Sequence, residues 1–262
     1  MRLLRRAAAI VLAALVLTAF AAPFVAPHPY DRQYRDSPNA RWSGKFLLGT
    51  DEYGRDRFSR LLYATAVSAT LAPAAALTSV ALAGAIAALP LRFVFSTVNG
   101  LFLSIPWIFP FIILRAYLPL NTSPGVSIAL TFALIGVAGW AYPGRVFAAS
   151  LREIETADWL LLARASGISP WRTWTVQVLP HLRDIAVAQF RALIPAYILS
   201  EASLGLLGLG VAEPLPSWGN MLLELQFPDR IRANPAILAP LALLMLVMVC
   251  LELLGNPAER NA

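Results

Sequence analysis

The chain has 262 residues, 58% of them hydrophobic and only 14% charged, with a mean hydropathy of +0.64. A soluble domain of this length is rarely so apolar, and several stretches reach the roughly 20 apolar residues that a bilayer-spanning helix needs. The net charge of +6 argues weakly for nucleic acid, because the arginines are scattered through short loops between apolar runs, as is ordinary on the cytoplasmic side of a membrane. Backbone groups in lipid must be satisfied within the element, and the alternation of a β-barrel strand is absent, so the expected fold is all-α with about six transmembrane helices. His28 and His181 are far apart, and Cys250 is the single cysteine. No metal-ligand spacing and no intrachain disulfide follow.

Residues 1–27 begin with Arg2, Arg5 and Arg6, followed by an apolar run from Ala7 to about Ala26. A secretory signal would have this start, and Ala19-Phe20-Ala21 resembles a cleavage site. A retained first span would have it too, and the further spans favour that reading. The basic start places the N-terminus in the cytoplasm. Residues 28–60 would then lie outside. They carry seven Lys or Arg and five acids, a count that cuts against the positive-inside rule but is outweighed by the first span and by the placing of the 153–180 loop.

Within this polar stretch stand Leu48, Gly49, Thr50, Asp51, Glu52, Tyr53, Gly54, Arg55 and Asp56, then Ser59-Arg60-Leu61-Leu62-Tyr63. Thr50 and Asp51 form turns or caps, and Gly54 permits a tight bend. Arg55, Asp56, Arg57 and Arg60 can pair among themselves at the lip of the next span. The stretch closely resembles the LGTDxxGRDxxSRLLYG segment of permeases for dipeptides, oligopeptides and nickel, departing at Ala64 and Ala66.

The second span covers about Leu61 to Leu89, contains Pro73 and Gly84, and is rich in small residues that let helices approach closely. A short turn at Pro90-Leu91-Arg92 leads to a third span, about Phe93 to Leu118, where Pro106 and Pro110 mark a kink or a re-entrant break. Asn99 is one position from where the resembled permeases often have Asp. After a turn at Pro119 to Gly125, the fourth span runs from about Val126 to Ala148 and includes Trp140-Ala141-Tyr142-Pro143-Gly144-Arg145, loosely similar to a WPxYAR pattern.

The stretch from Glu153 to Pro180 is charged and lies between apolar runs. A helix is expected from a Thr156 cap, with Asp158 near its N-terminus and Arg164 near the other end. Gly167 ends it, Ser169-Pro170 starts a second short helix, and Pro180 marks a boundary. Two short helices about a glycine hinge suit docking of a soluble partner. The stretch resembles the EAA loop of ABC importer permeases. Gly167 takes the Gly place and Leu179-Pro180 the Leu-Pro place, while Leu161, Leu162 and Ala163 stand where Glu-Ala-Ala is usual.

The fifth span, about Ile185 to Leu207, contains Arg191, Pro195 and Glu201. Arg191 either faces a cavity or snorkels to the inner surface; Glu201 is either a structural partner or part of the pathway. Ser200 to Gly210 resembles AEASLSFLGLG. The segment on to Met221 resembles GLGVxPPTPSWGNML, with Glu213 at the first Pro of the pair. Its Pro216, Ser217, Trp218 and Gly219 read as a rigid outer loop with Trp218 at the interface. The sixth span, about Pro235 to Leu254, leaves both termini inside.

The chain divides into an anchor helix with an extracytoplasmic loop, 1–60, and a permease core, 61–262, that holds the docking loop at 153–180. No nucleotide-binding loop is present: Lys45 is preceded by Gly44 but followed by Phe46, and Asn39 stands at the first Gly place. No catalytic set is evident, which weakens a membrane-embedded enzyme. A stand-alone secondary transporter or channel is the alternative, but the paired half-helix breaks it would carry are not seen. The resemblance identifies the chain as an ABC importer permease of the dipeptide/oligopeptide/nickel class. It implies a second permease subunit, two cytoplasmic ATPase subunits that bind ATP and Mg, and an extracytoplasmic solute-binding protein, in a bacterial or archaeal cytoplasmic membrane. This chain itself would carry no cofactor.

Overall fold

The computed structural model describes residues 2–88, 92–117 and 122–255, with the side chains of 92–96, 114, 115 and 164 left aside. Helices α1 (Arg2–Phe20) and α2 (Ala22–Val25) precede a long irregular stretch. Then come α3 (Arg57–Ala87), α4 (Arg92–Ser104), α5 (Ile108–Tyr117), α6 (Pro124–Ala138), α7 (Ala141–Thr156), α8 (Asp158–Ala165) and α9 (Pro170–Thr173). A π-helical turn, Trp174–Val178, joins α9 to α10 (Leu179–Leu206). The chain closes with α11 (Trp218–Leu222), α12 (Pro228–Ala233) and α13 (Ala239–Gly255), with 3₁₀ turns at Leu223–Gln226 and Pro235–Leu238. Among the described residues no strand forms, as expected for an all-α membrane protein.

Among the described residues, five helical stretches are long and apolar enough to cross a bilayer: Arg2–Phe20, Arg57–Ala87, Pro124–Thr156, Pro170–Leu206 and Pro235–Gly255. The expected third span is instead two helices, α4 and α5, neither long enough alone. The break falls at 105–107, where Pro106 forces its predecessor away from helical geometry. Pro110 stays inside α5, because in a first turn its missing N–H has no partner to lose. The turn expected at Pro90-Leu91 lies outside the described residues, as does the 119–121 part of the next turn.

The chain forms two compact units, 1–72 with 111–132 and 195–262, and 73–110 with 133–194. In the first, α1 packs along α13 and α11 packs against α13. Ala8 and Ala19 on one helix and Leu244, Val247 and Cys250 on the other are buried. In the second, the Ser79 hydroxyl donates to the Gly136 carbonyl at 2.5 Å. A Cβ on Gly136 would meet the Ala75 backbone at 3.1 Å, so glycine and alanine set this helix spacing.

Candidate functional site

Two regions gather the residues singled out in the sequence. The first is the 48–63 segment with the loop after α10. Gly49 and Gly54 have φ of +73° and +76°, and a Cβ on either would lie 2.2 Å from a carbonyl, of Ala40 and Tyr34 respectively. Only glycine fits both. Between them the chain folds back on itself, bridging Thr50 to Asp56. The Thr50 hydroxyl donates to the Ser37 carbonyl and accepts from the Ala40 N–H. Asp51 accepts from the N–H groups of Tyr53 (2.9 Å) and Arg55 (2.8 Å) and from Arg55 Nε (2.6 Å). Asp56 caps α3, accepting from the Ser59 N–H at 3.1 Å and hydroxyl at 2.6 Å.

The charges here do not pair as a closed set of four, as the sequence suggested. Arg57 donates two hydrogen bonds to Glu224, at 2.9 and 2.6 Å. Arg55 joins Asp51 to Glu213, and Arg60 reaches Glu213 at 2.9 Å and the Pro214 carbonyl at 3.1 Å. The reason is local. Arg57 and Arg60 lie in the first turn of α3, where the helix dipole opposes cations, so carboxylates from distant segments must offset them. Burial works against the Arg55 charge, but Asp51 and Glu213 overcome it and its pKa is raised. Burial pushes the Glu224 carboxyl up, against the pull of Arg57.

Trp218 is buried instead of lying at an interface, and its ring N–H donates to the Thr65 hydroxyl at 3.2 Å. It opens α11, which Ser217 and Asn220 close with a reciprocal capping box. Pro216 and Gly219 are buried beside it. Gly219 faces Gly205 so closely that a Cβ would fall 2.7 Å from the other glycine's Cα. Glu201 lies against this contact at 0% exposure. The Ser217 hydroxyl and Gly219 N–H approach its carboxylate without reaching hydrogen-bond geometry.

The second region is 153–180. Thr156 does not cap a helix. It ends α7, and its hydroxyl donates back to the carbonyls of Arg152 and Glu153. Ala157 turns extended and α8 begins at Asp158, whose acid suits the helix N-terminus. Gly167 has φ +74°, and the Ile168 N–H bonds to the Ala163 carbonyl at 3.2 Å, the Schellman arrangement that ends a helix. Ser169 caps the next helix at the Arg172 N–H and Pro170 occupies its first position.

That helix is not short. It runs on from Pro170 to Leu206, and Pro180 is no boundary. The Leu179 N–H bonds five residues back to Trp174, and this π turn absorbs the donor that proline lacks. At about 1.5 Å per residue, the 37 residues extend about 55 Å, well past the roughly 30 Å bilayer core. The 33 residues of Pro124–Thr156 run as two helices, α6 and α7, divided by a turn at 139–140. Ala163 is buried on α8, while Leu161 is half exposed and Leu162 is 66% exposed. Trp159, Trp174 and Trp171, the last at 79%, are also exposed. A cavity of about 310 Å³ opens among Ile154, Leu160, Ile168, Thr173, Trp174 and Val178. The Arg164 side chain lies outside the described residues.

Arg191 is exposed on α10 and has no hydrogen-bond or ion partner among the described residues. Asn99 is buried, donating to the Ala141 carbonyl at 2.6 Å and accepting from Arg145 Nε at 3.0 Å. Sequence reasoning missed Glu224 as the partner of Arg57, and it missed the three exposed tryptophans. Three Trp within 16 residues of a charged stretch was a legible signal.

A family model for the binding-protein-dependent transport system inner membrane component matches residues 57–258, and one for the N-terminal TM domain of oligopeptide transport permease C matches residues 4–41. The di/tripeptide transport system permease protein DppC of Pseudomonas aeruginosa is 30% identical over 92% of this chain and 82% of its own length. The oligopeptide transport system permease protein OppC of Escherichia coli K12 is 27% identical over 95% and 83%. The dipeptide transport system permease protein DppC of Bacillus subtilis is 28% identical over 79% of this chain and 65% of its own length. These matches set aside the stand-alone carrier or channel. The chain is a membrane permease subunit and belongs to the family of binding-protein-dependent transport system inner membrane components.

Proposed function

We propose that this chain is one of two permease subunits of an ATP-driven importer for peptides or a related small solute. Its partners are a homologous permease, two ATPase subunits carrying ATP and Mg, and an extracytoplasmic solute-binding protein. Residues 1–60 serve as anchor and outer segment, 61–262 as permease core, and both termini lie in the cytoplasm. The observation that carries this reading is the turn at Gly167, with φ +74°, and the exposed Leu161, Leu162 and Trp171 on either side of it. A surface of this kind is left bare in a single chain because another protein covers it.

ATP binding closes the ATPase pair, α8 moves with it, and the spans rock to open the other side. That is a two-state element biased by a ligand on a partner. Asp158, Leu161, Leu162, Ala163, Arg164, Gly167 and Pro180 belong to the docking element. Glu201 and Arg191 are pathway residues, since ionisable groups at membrane depth are costly and are retained for cavities or partners. The 49–56 stretch and 216–219 form the outer face. Gentle affinity purification from native membranes, with mass spectrometry, tests the assembly. A second permease and ATPase subunits are expected. A chain that purifies alone and moves solute in vesicles would overturn the reading.

A further inference from the structure

Arg55 and Arg60 are both almost wholly buried, and both are held in place. Asp51 grips Arg55 through Nε at 2.6 Å and stands 3.8 Å from Arg60 Nε. The other nearby acids are engaged elsewhere, Asp56 by Ser59 and Glu224 by Arg57. Two guanidinium groups therefore share one buried carboxylate, and the balance of one positive charge needs a second anion. Glu213 supplies it. Its Oε2 lies 2.5 Å from Arg55 and 3.0 Å from Arg60, and its Oε1 lies 2.9 Å from Arg60.

Glu213 differs from its partners in one respect: its side chain is 46% exposed, on a loop. The arginines are fixed and the carboxylate is the movable part. The sequence pattern that this loop resembles has proline at this position, so the acid is a feature of this chain. Besides Glu213, the loop is held by Ala212 N–H to Ser127 Oγ and Arg60 to the Pro214 carbonyl, and nearer its end by Asn220 to the Leu215 carbonyl and by the buried Pro216.

We propose that Arg55 and Arg60 form a carboxylate-binding cradle that the chain fills with its own Glu213, strapping the 207–217 loop onto the 48–63 segment. The planar guanidinium forks suit a carboxylate, which two donors can grip at once. A small carboxylate is therefore the ligand class that the empty cradle would accept. The inference does not rest on the docking element or on ATP.

The test uses the full chain in its native membrane, with Cys250→Ala and Val211→Cys. Val211 is buried when the loop is seated, so reaction of Cys at that position with a membrane-impermeant maleimide reports loop release. Glu213→Ala is expected to raise the labelling rate at least about tenfold, because a buried charge loses its partner. Acetate, which can fill the cradle without tying down the loop, should raise labelling of the chain that keeps Glu213 where chloride at equal ionic strength does not. Glu213→Gln, which keeps size and loses charge, should behave as Glu213→Ala does without the risk of a void. Labelling at the unsubstituted rate in either folded variant would overturn the strap. An equal response of the Glu213 chain's labelling to acetate and chloride would overturn the carboxylate cradle.

Discussion

The two regions solve opposite problems. Around residues 48–63, charged groups are buried and answered: Arg55 by Asp51 and Glu213, Arg57 by Glu224, Asp56 by Ser59. Around 153–180, apolar groups are exposed and unanswered: Leu161, Leu162, Trp159, Trp171. The first region is completed by its own chain. The second has no such answer within its own chain among the described residues, and the proposed ATPase contact would supply one. Motif residues can thus matter for opposite physical reasons, internal satisfaction in one place and external complementarity in the other.

The contrast can be broken from either side. Asp51→Asn should have the largest effect. It removes the buried carboxylate that holds Arg55, and breaking such a pair costs about 3–5 kcal/mol. Thermal unfolding in detergent should show a clear loss, and an unchanged transition would mean that the cluster is ornamental. Gly167→Pro comes next. Proline fixes φ near −65°, incompatible with +74°. The reconstituted importer should hydrolyse ATP but lose uptake; normal uptake would sink the hinge. Gly167→Ala, by comparison, should cost about 1–2 kcal/mol of local strain and leave partial uptake.

Glu201→Gln should lower uptake while assembly survives on size-exclusion chromatography. If uptake stays at the unsubstituted level, Glu201 is only a packing residue beneath α11. The smallest effect is expected from Asn99→Asp. It puts a carboxylate beside Arg145, 3.0 Å from the present amide oxygen. It also sets an acceptor against the Ala141 carbonyl, to which the Asn99 amide donates at 2.6 Å, so a net loss of about 1 kcal/mol in unfolding free energy is the expected outcome, read by the same thermal assay.

Legibility followed the same divide. The third of the six expected spans was not readable, because Pro106 divides it. The other five were, because apolar length is a direct consequence of bilayer thickness. So were the Gly167 stop and the Ser169-Pro170 start, which depend on backbone chemistry a few residues wide. The pairing of Arg57 with Glu224 was not readable, because 167 residues separate them and nothing local marks the partner. Trp218 was misplaced for a related reason. Its motif looks like a surface loop, but the Gly205–Gly219 approach and Thr65 draw it into the core. Pro180 misled because a π turn upstream had already rearranged the hydrogen bonds.

The exposed face of α8 is the proposed seat of a soluble ATPase. Leu161→Asp with Leu162→Asp tests it most directly, since both side chains are at least half exposed and neither supports the fold. The variant should be affinity-purified from native membranes beside the unsubstituted chain, with the co-purifying proteins quantified. The second permease should stay and the ATPase subunits should be lost, with thermal stability within about 0.5 kcal/mol of the parent. Full retention of the ATPase subunits by a folded variant would contradict it.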